Sequence, residues 1–214
     1  MKSKINENQK NKLQNWSKNL KKTIFILAIA FIAVLTSCSK DDASSPVVEP
    51  TPVANEQDPL SGYFSNSGLV LATLFNTNLV TESGFSFKPL VNGKITVVTA
   101  KCNGSVPNVR VTIWNKTTGQ RLRTVFISDV QDNLEITKAI APLEVLANIE
   151  YYITLRNNSW FVYKKVDNAN INYPIISQDI SITGAGNRLD EEDAMPNNDF
   201  LNEFRGNVSF KFQK

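Results

Sequence analysis

Val109-Arg110-Val111-Thr112-Ile113-Trp114, then Asn115-Lys116-Thr117-Thr118-Gly119, then Gln120-Arg121-Leu122-Arg123-Thr124-Val125-Phe126, reads as two strands and the turn that joins them. Val109, Val111 and Ile113 share one face, and Arg110, Thr112 and Trp114 share the other, which is the period-two signature of a half-buried strand. Leu122, Thr124 and Phe126 alternate with Arg121, Arg123 and Val125 in the same way. Gly119 suits a left-handed residue at the end of the loop.

The pattern extends outward from this hairpin. Ile95 and Val97 precede it, and Leu134, Ile136 and Ile140 follow. Ile149, Tyr151, Ile153 and Leu155 oppose Glu150, Tyr152, Thr154 and Arg156. Ile180 and Ile182, then Val208, Phe210 and Phe212, close the series. Further strands are predicted over Leu69–Phe75, Gly84–Phe87 and Trp160–Lys164. Asn92-Gly93, Asn103-Gly104, Asp132-Asn133 and Asn157-Asn158 are the expected turns. A long closing loop is predicted from Gly184 to Asn202, with a helical turn around Asp199–Phe204. Many short strands at this spacing argue an all-β fold, an antiparallel β-sandwich of jelly-roll-like type.

The N-terminal segment has a different character. Lys2, Lys4, Lys10, Lys12, Lys18, Lys21 and Lys22 lead into an apolar run from Thr23 to Val34, then Leu35-Thr36-Ser37-Cys38. A basic start, an apolar middle and small residues before a cut define a secretory signal. The run is shorter than the ~20 residues a spanning helix needs. Leu35-Thr36-Ser37-Cys38 resembles the lipobox of bacterial lipoproteins. That resemblance implies cleavage before Cys38, diacylation of its sulfur and acylation of the new amino group. Two or three chains, at ~0.8 kcal/mol per buried CH₂, hold a protein stably on a bilayer. Ser39-Lys40-Asp41-Asp42 resembles a surface-export signal of some Gram-negative lipoproteins. The expected location is the outer membrane, at the cell surface, with the inner leaflet as the alternative.

Three segments follow: residues 1–37 as signal peptide, 38–60 as lipidated Cys and tether, and 61–214 as one β-sandwich domain. Pro46, Pro50, Pro52 and Pro59 stiffen the tether, and at ~3 Å per residue it spans up to roughly 60 Å. Cleavage also reverses the charge. The whole chain carries 23 basic and 20 acidic residues, net +3; residues 1–38 hold seven Lys and one Glu, which leaves 16 basic and 19 acidic residues, about −3. The basic balance belongs to the leader, so it does not point to nucleic acid.

The order Gly93-Lys94-Ile95-Thr96-Val97, Val109 to Trp114, Gly119-Gln120-Arg121-Leu122 and Pro142-Leu143 to Tyr151-Tyr152-Ile153 resembles the DUF4082 family of bacterial extracellular β domains. The resemblance covers roughly residues 65–165. It implies a jelly-roll-like sandwich of the kind found beside carbohydrate-active or adhesive modules, and it brings no catalytic residues. Ile127-Ser128-Asp129-Val130 departs from the family's Gly-rich and Trp-rich positions after the hairpin.

The chain contains no His. This removes Ser-His-Asp and Cys-His nucleophilic catalysis and His-containing zinc sites. A pair of carboxylates around a cleft, as in glycosidases, is the remaining enzymatic possibility, and no spacing singles one out. The expectation is a protein that is not an enzyme. Cys102 has no partner once Cys38 carries lipid, and reads as a small buried hydrophobe. Asp190, Glu191 and Asp193, with Asp199, form the densest oxygen cluster; they suit calcium or a solvated acidic loop, and no other cofactor is implied. Trp114, Tyr152, Trp160 and Tyr163, with Arg110 and Arg156, are the candidate ligand platform: flat aromatics beside polar groups suit sugars. The same aromatics also suit packing under a loop, since one register error reverses the faces. The expected partners are the membrane, through Cys38, and either a glycan or other extracellular polymer or a second envelope protein.

Overall fold

The computed structural model describes residues 56–189 and 194–214. Helix α1 (Pro59–Ser67) comes first, then β1 (Val70–Pro89), β2 (Gly93–Lys101), β3 (Val106–Asn115), β4 (Arg121–Val130), β5 (Glu135–Val145) and β6 (Tyr151–Lys164). After these come β7 (Ile175–Ser177), β8 (Ile180–Arg188), β9 (Asn198–Phe200), β10 (Glu203–Arg205) and β11 (Val208–Gln213). The large sheet runs β4-β3-β6-β1-β8-β7, with β10 on β6 and β9 on β8; the small sheet runs β11-β2-β5. Every ladder is antiparallel. The protein is an antiparallel β-sandwich.

The core lies between the sheets and is rich in aromatic rings. Phe85 and Phe87 of β1 meet Phe210 of β11, with ring centroids 6.3 and 4.5 Å apart. Ile95 and Val98 of β2, Val111 and Ile113 of β3, Ile153 of β6 and Ile182 of β8 are all fully buried around them. Gly93 is required by close approach: an added Cβ would lie 2.4 Å from both the Phe212 ring and the Gln213 carbonyl oxygen. Gly119 takes the expected left-handed conformation, at φ 69°.

Several sequence expectations are corrected. Residues 57–60, placed in the tether by the sequence, belong to the fold. The main chain of Gln57 exchanges two 2.9 Å hydrogen bonds with Phe212. Asp58 caps α1 by accepting from the Leu60 amide at 3.1 Å, Pro59 suits the first turn, and Gly68 ends the helix at φ 72°. Leu60 and Tyr63 pin this helix to the core, Tyr63 edge-on to Phe204 at 5.3 Å. The predicted strands at Leu69–Phe75 and Gly84–Phe87 are one strand, β1, interrupted by bulges. Asn157-Asn158 is not a turn; it lies inside β6, opposite the larger bulge. Residues Gly184 to Arg188 continue β8, and the expected helical turn near Asp199–Phe204 is two short strands, because β8 and β6 offer hydrogen-bonding edges there. In β4 the inward residues are Val125 and Ile127, while Phe126 is 53 % exposed. A bulge opposite Ile113 and Trp114 resets the phase.

Cys102 is buried, and burial pushes its thiol up to about 11. It will therefore resist iodoacetamide at neutral pH until denaturant opens the domain, as read by mass spectrometry. Phe87→Ala should cost ~3–5 kcal/mol, measured by urea denaturation, as for other buried aromatic truncations.

Candidate functional site

Four of the six predicted platform residues do share a face, the side of the large sheet turned away from the small one. Register sets Arg110 opposite Arg156, Arg156 opposite Glu82, and Glu82 opposite Arg188. Directly opposed residues project to the same side, so three arginines and one glutamate form a row across β3, β6, β1 and β8. The next row is Thr112, Thr154, Gly84 and Gly186; the third is Trp114, Tyr152, Ser86 and Gly184.

These residues are not a surface platform. Trp114 is 3 % exposed and Tyr152 2 % exposed. Glu82, at 2 %, is the centre of a buried polar chain. Its Oε2 accepts from the Arg110 guanidinium at 2.8 Å and its Oε1 accepts from the Thr154 hydroxyl at 2.5 Å. Thr154 in turn accepts from Trp114 Nε1 at 3.1 Å. The guanidinium of Arg121 lies 5.1 Å from the Trp114 ring centroid, a cation–π distance. Tyr152 donates to the Gly84 carbonyl at 3.3 Å. Gly186 leaves the room: an added Cβ there would sit 3.1 Å from the Tyr152 hydroxyl and 2.2 Å from the Asn198 carbonyl. Burial, with the nearby charge of Asp199, holds the Tyr152 phenol well above its usual range, so it stays protonated. The outward phase read from the sequence is correct, and of the two roles it left open for Trp114 and Tyr152, packing rather than exposure holds.

At the other end of this face, Lys116 bonds Glu150 Oε1 at 3.0 Å and Ser86 Oγ at 3.3 Å. Thr183 donates to the same carboxylate oxygen at 2.5 Å and lies 2.8 Å from Ser86 Oγ. Partial burial raises the Glu150 pKa, but the bonds from Thr183 and Lys116 outweigh it and hold the carboxyl below its ordinary value.

The other two aromatics lie elsewhere. Trp160 is 1 % exposed, with its ring 3.6 Å from the position of a Cβ on Gly206. Tyr163 is half-buried, stacked on Phe64 at 4.4 Å, and accepts from Asn207 Nδ2 at 2.7 Å. Asp199 is exposed on β9, opposite Gly186, while Asp190, Glu191, Asp193 and Cys38 lie outside the described residues. Among the described residues, no three His, Cys, Asp or Glu side chains are placed to hold a metal ion, and no helix is long and apolar enough to cross a membrane.

The surface that sequence reasoning missed is the N-terminal half of β1. Val70, Leu71, Leu74, Phe75, Leu79 and Val80 are each 40–54 % exposed. The contrast with the other half of the same strand is complete, since Thr81 to Phe87 are all buried. Arg205 stacks on Phe75 at 4.8 Å and on Phe200 at 5.0 Å. The signal was present in composition: no charged residue occurs from Pro59 to Thr81. A soluble surface strand ordinarily carries charges that discourage association, and this one has none.

No protein-family model matches the chain, and no curated protein matches it.

Two outcomes follow from this geometry. Glu82→Ala should cost ~3–5 kcal/mol in urea, because it removes the buried carboxylate that accepts from both Arg110 and the Thr154 hydroxyl. A carboxyl whose folded pKa is depressed stabilises the fold above its unfolded pKa, and that stability is lost as pH falls through the folded value. Glu150→Gln should therefore flatten the fall in melting temperature below about pH 4.5, with little change in its slope at neutral pH.

Proposed function

We propose that this chain is a lipid-anchored protein of the bacterial outer membrane whose β-sandwich is an interaction module that pairs with a protein of the cell envelope, without catalysis. The observation that carries this reading is the exposed, uncharged, apolar N-terminal half of β1. Exposed apolar side chains on this scale favour a protein partner, since such surface is common at interaction sites. The leader and Leu35-Thr36-Ser37-Cys38 support the anchor, which would hold the module at a membrane through acyl chains on Cys38.

A glycan partner has less support. It rested on flat aromatics facing solvent, and Trp114, Tyr152 and Trp160 are buried. Catalysis is likewise disfavoured by the absence of His and by the engagement of Glu82, whose two oxygens are both hydrogen-bonded beneath the surface.

The anchor is tested by metabolic labelling with a palmitate analogue. Label is expected on the wild-type chain and absent from Cys38→Ser, and an unlabelled wild-type chain would refute the anchor. The interaction role is tested by cross-linking in intact cells followed by mass spectrometry. A stoichiometric protein adduct is expected; a chain that yields none, yet is retained on a glycan array, would restore the glycan reading.

A further inference from the structure

Resting on the lipid-anchor reading, we infer that the end of the sandwich where the tether joins it is a membrane-contact surface. Leu90, Leu146 and Ile149, on two adjoining turns, rest in the headgroup boundary of the bilayer that holds Cys38.

Hydrogen bonds lock these turns to each other and to the tether's point of entry. The Asn148 amide donates to the Pro89 carbonyl at 2.9 Å and the Ala147 amide to Asn92 Oδ1 at 2.8 Å, so the turn after β5 lies against the turn after β1. The Leu90 amide donates to the Asp179 carbonyl at 2.8 Å, and the Asp179 amide donates to Gln57 Oε1 at 3.0 Å. Gln57 is where the fold takes up the chain that leads back to Cys38. Leu90 is 43 % exposed, Leu146 55 % and Ile149 38 %. Neither Pro89 to Gly93 nor Val145 to Ile149 contains a charged residue. Half-exposed aliphatic side chains leave water when they enter the boundary between headgroups and acyl chains.

The charges around the turns do not oppose this contact. Lys116 pairs with Glu150 at 3.0 Å, Lys214 with Asp179 at 2.8 Å and Lys211 with Asp58 at 3.1 Å. Lys94 stands opposite Glu144 on the ladder between β2 and β5. Lys88, Arg121 and Glu56 leave a small positive balance, which an anionic lipid surface accepts. A weak contact is enough. The tether keeps the domain within roughly 60 Å of the bilayer, and that confinement raises the effective concentration of the contact. The contact also orients the domain. β1 ends at Pro89 beside these turns, and Thr81 to Pro89 rise roughly 25 Å at ~3.3 Å per residue. The exposed half of β1 lies beyond them, held off the lipid and open to a partner.

The test uses the full acylated chain in vesicles of phosphatidylethanolamine and phosphatidylglycerol that contain a nitroxide-labelled lipid. Cys102 is buried and Cys38 is acylated, so a cysteine introduced as Leu146→Cys is the thiol that a nitrobenzoxadiazole dye reaches. The control is Leu134→Cys. Leu134 is 52 % exposed, in the turn before β5, and the length of β5 separates it from Leu146. Quenching by the nitroxide should be about threefold or more stronger at 146 than at 134, with blue-shifted emission at 146, since only the first dye sits at the boundary. Adding Leu90→Glu should bring quenching at 146 down to the control level, because a carboxylate resists leaving water. Equal quenching at 146 and 134 in an acylated, vesicle-bound chain overturns the contact and leaves the anchor standing. A chain that carries no acyl group and does not float with the vesicles overturns both.

Discussion

The fold depends on covering both faces of one pair of strands. β1 and β6 run antiparallel through the middle of the large sheet, and Thr81 to Phe87 of β1 are buried without interruption. A strand buried on alternate residues needs one apolar neighbour layer. A strand buried on every residue needs two. The inner layer is the small sheet, which delivers Phe210 and Ile95 onto Phe85 and Phe87. On the outer side, Trp114, Tyr152 and Arg110 lie over Thr154, Gly84 and Glu82.

The polarity of that outer layer follows from its residues. Ser86 and Thr154 are fully buried polar side chains on this face, and a buried hydroxyl is tolerable when it is hydrogen-bonded, as both are. Ser83 donates to the Arg205 carbonyl at 2.9 Å, which ties β10 to β1. Thr154 links an indole to a carboxylate. The glycines of β1 and β8 have a matching role. They remove side chains where the Tyr152 ring and the neighbouring strands come close. The outer face is thus a second, polar interior, and this is why aromatics on a polar phase are not a surface.

On the N-terminal side of Thr81 neither layer continues among the described residues, and the same strand becomes exposed along that half. The bulges between Leu71 and Thr73 and between Asn76 and Thr81 mark the change. Asn103 Nδ2 bonds Asn76 at 3.2 Å and Ser159 at 2.8 Å, anchoring the segment to β6 beside the larger bulge. A strand segment held in place with apolar side chains exposed suits the interaction role proposed for it. The scaffold and the proposed interaction surface are therefore two halves of one strand.

By itself the sequence determined the class of the fold and the phase of most strands. The alternation of Val109, Val111 and Ile113 with Arg110, Thr112 and Trp114 is local, and the pleat converts it directly into two faces. It also located the Gly119 turn and the burial of Cys102. The tertiary structure alone decided which faces meet water. Period two says that Trp114 and Tyr152 point away from the core; it does not say that a second layer lies there. Whether a strand end becomes helix or edge also depends on distant partners, as at Asn198–Phe200 and Glu203–Arg205, where β8 and β6 supply the hydrogen bonds. Exposure is a property of what packs across a face, and those contacts join residues far apart in the chain.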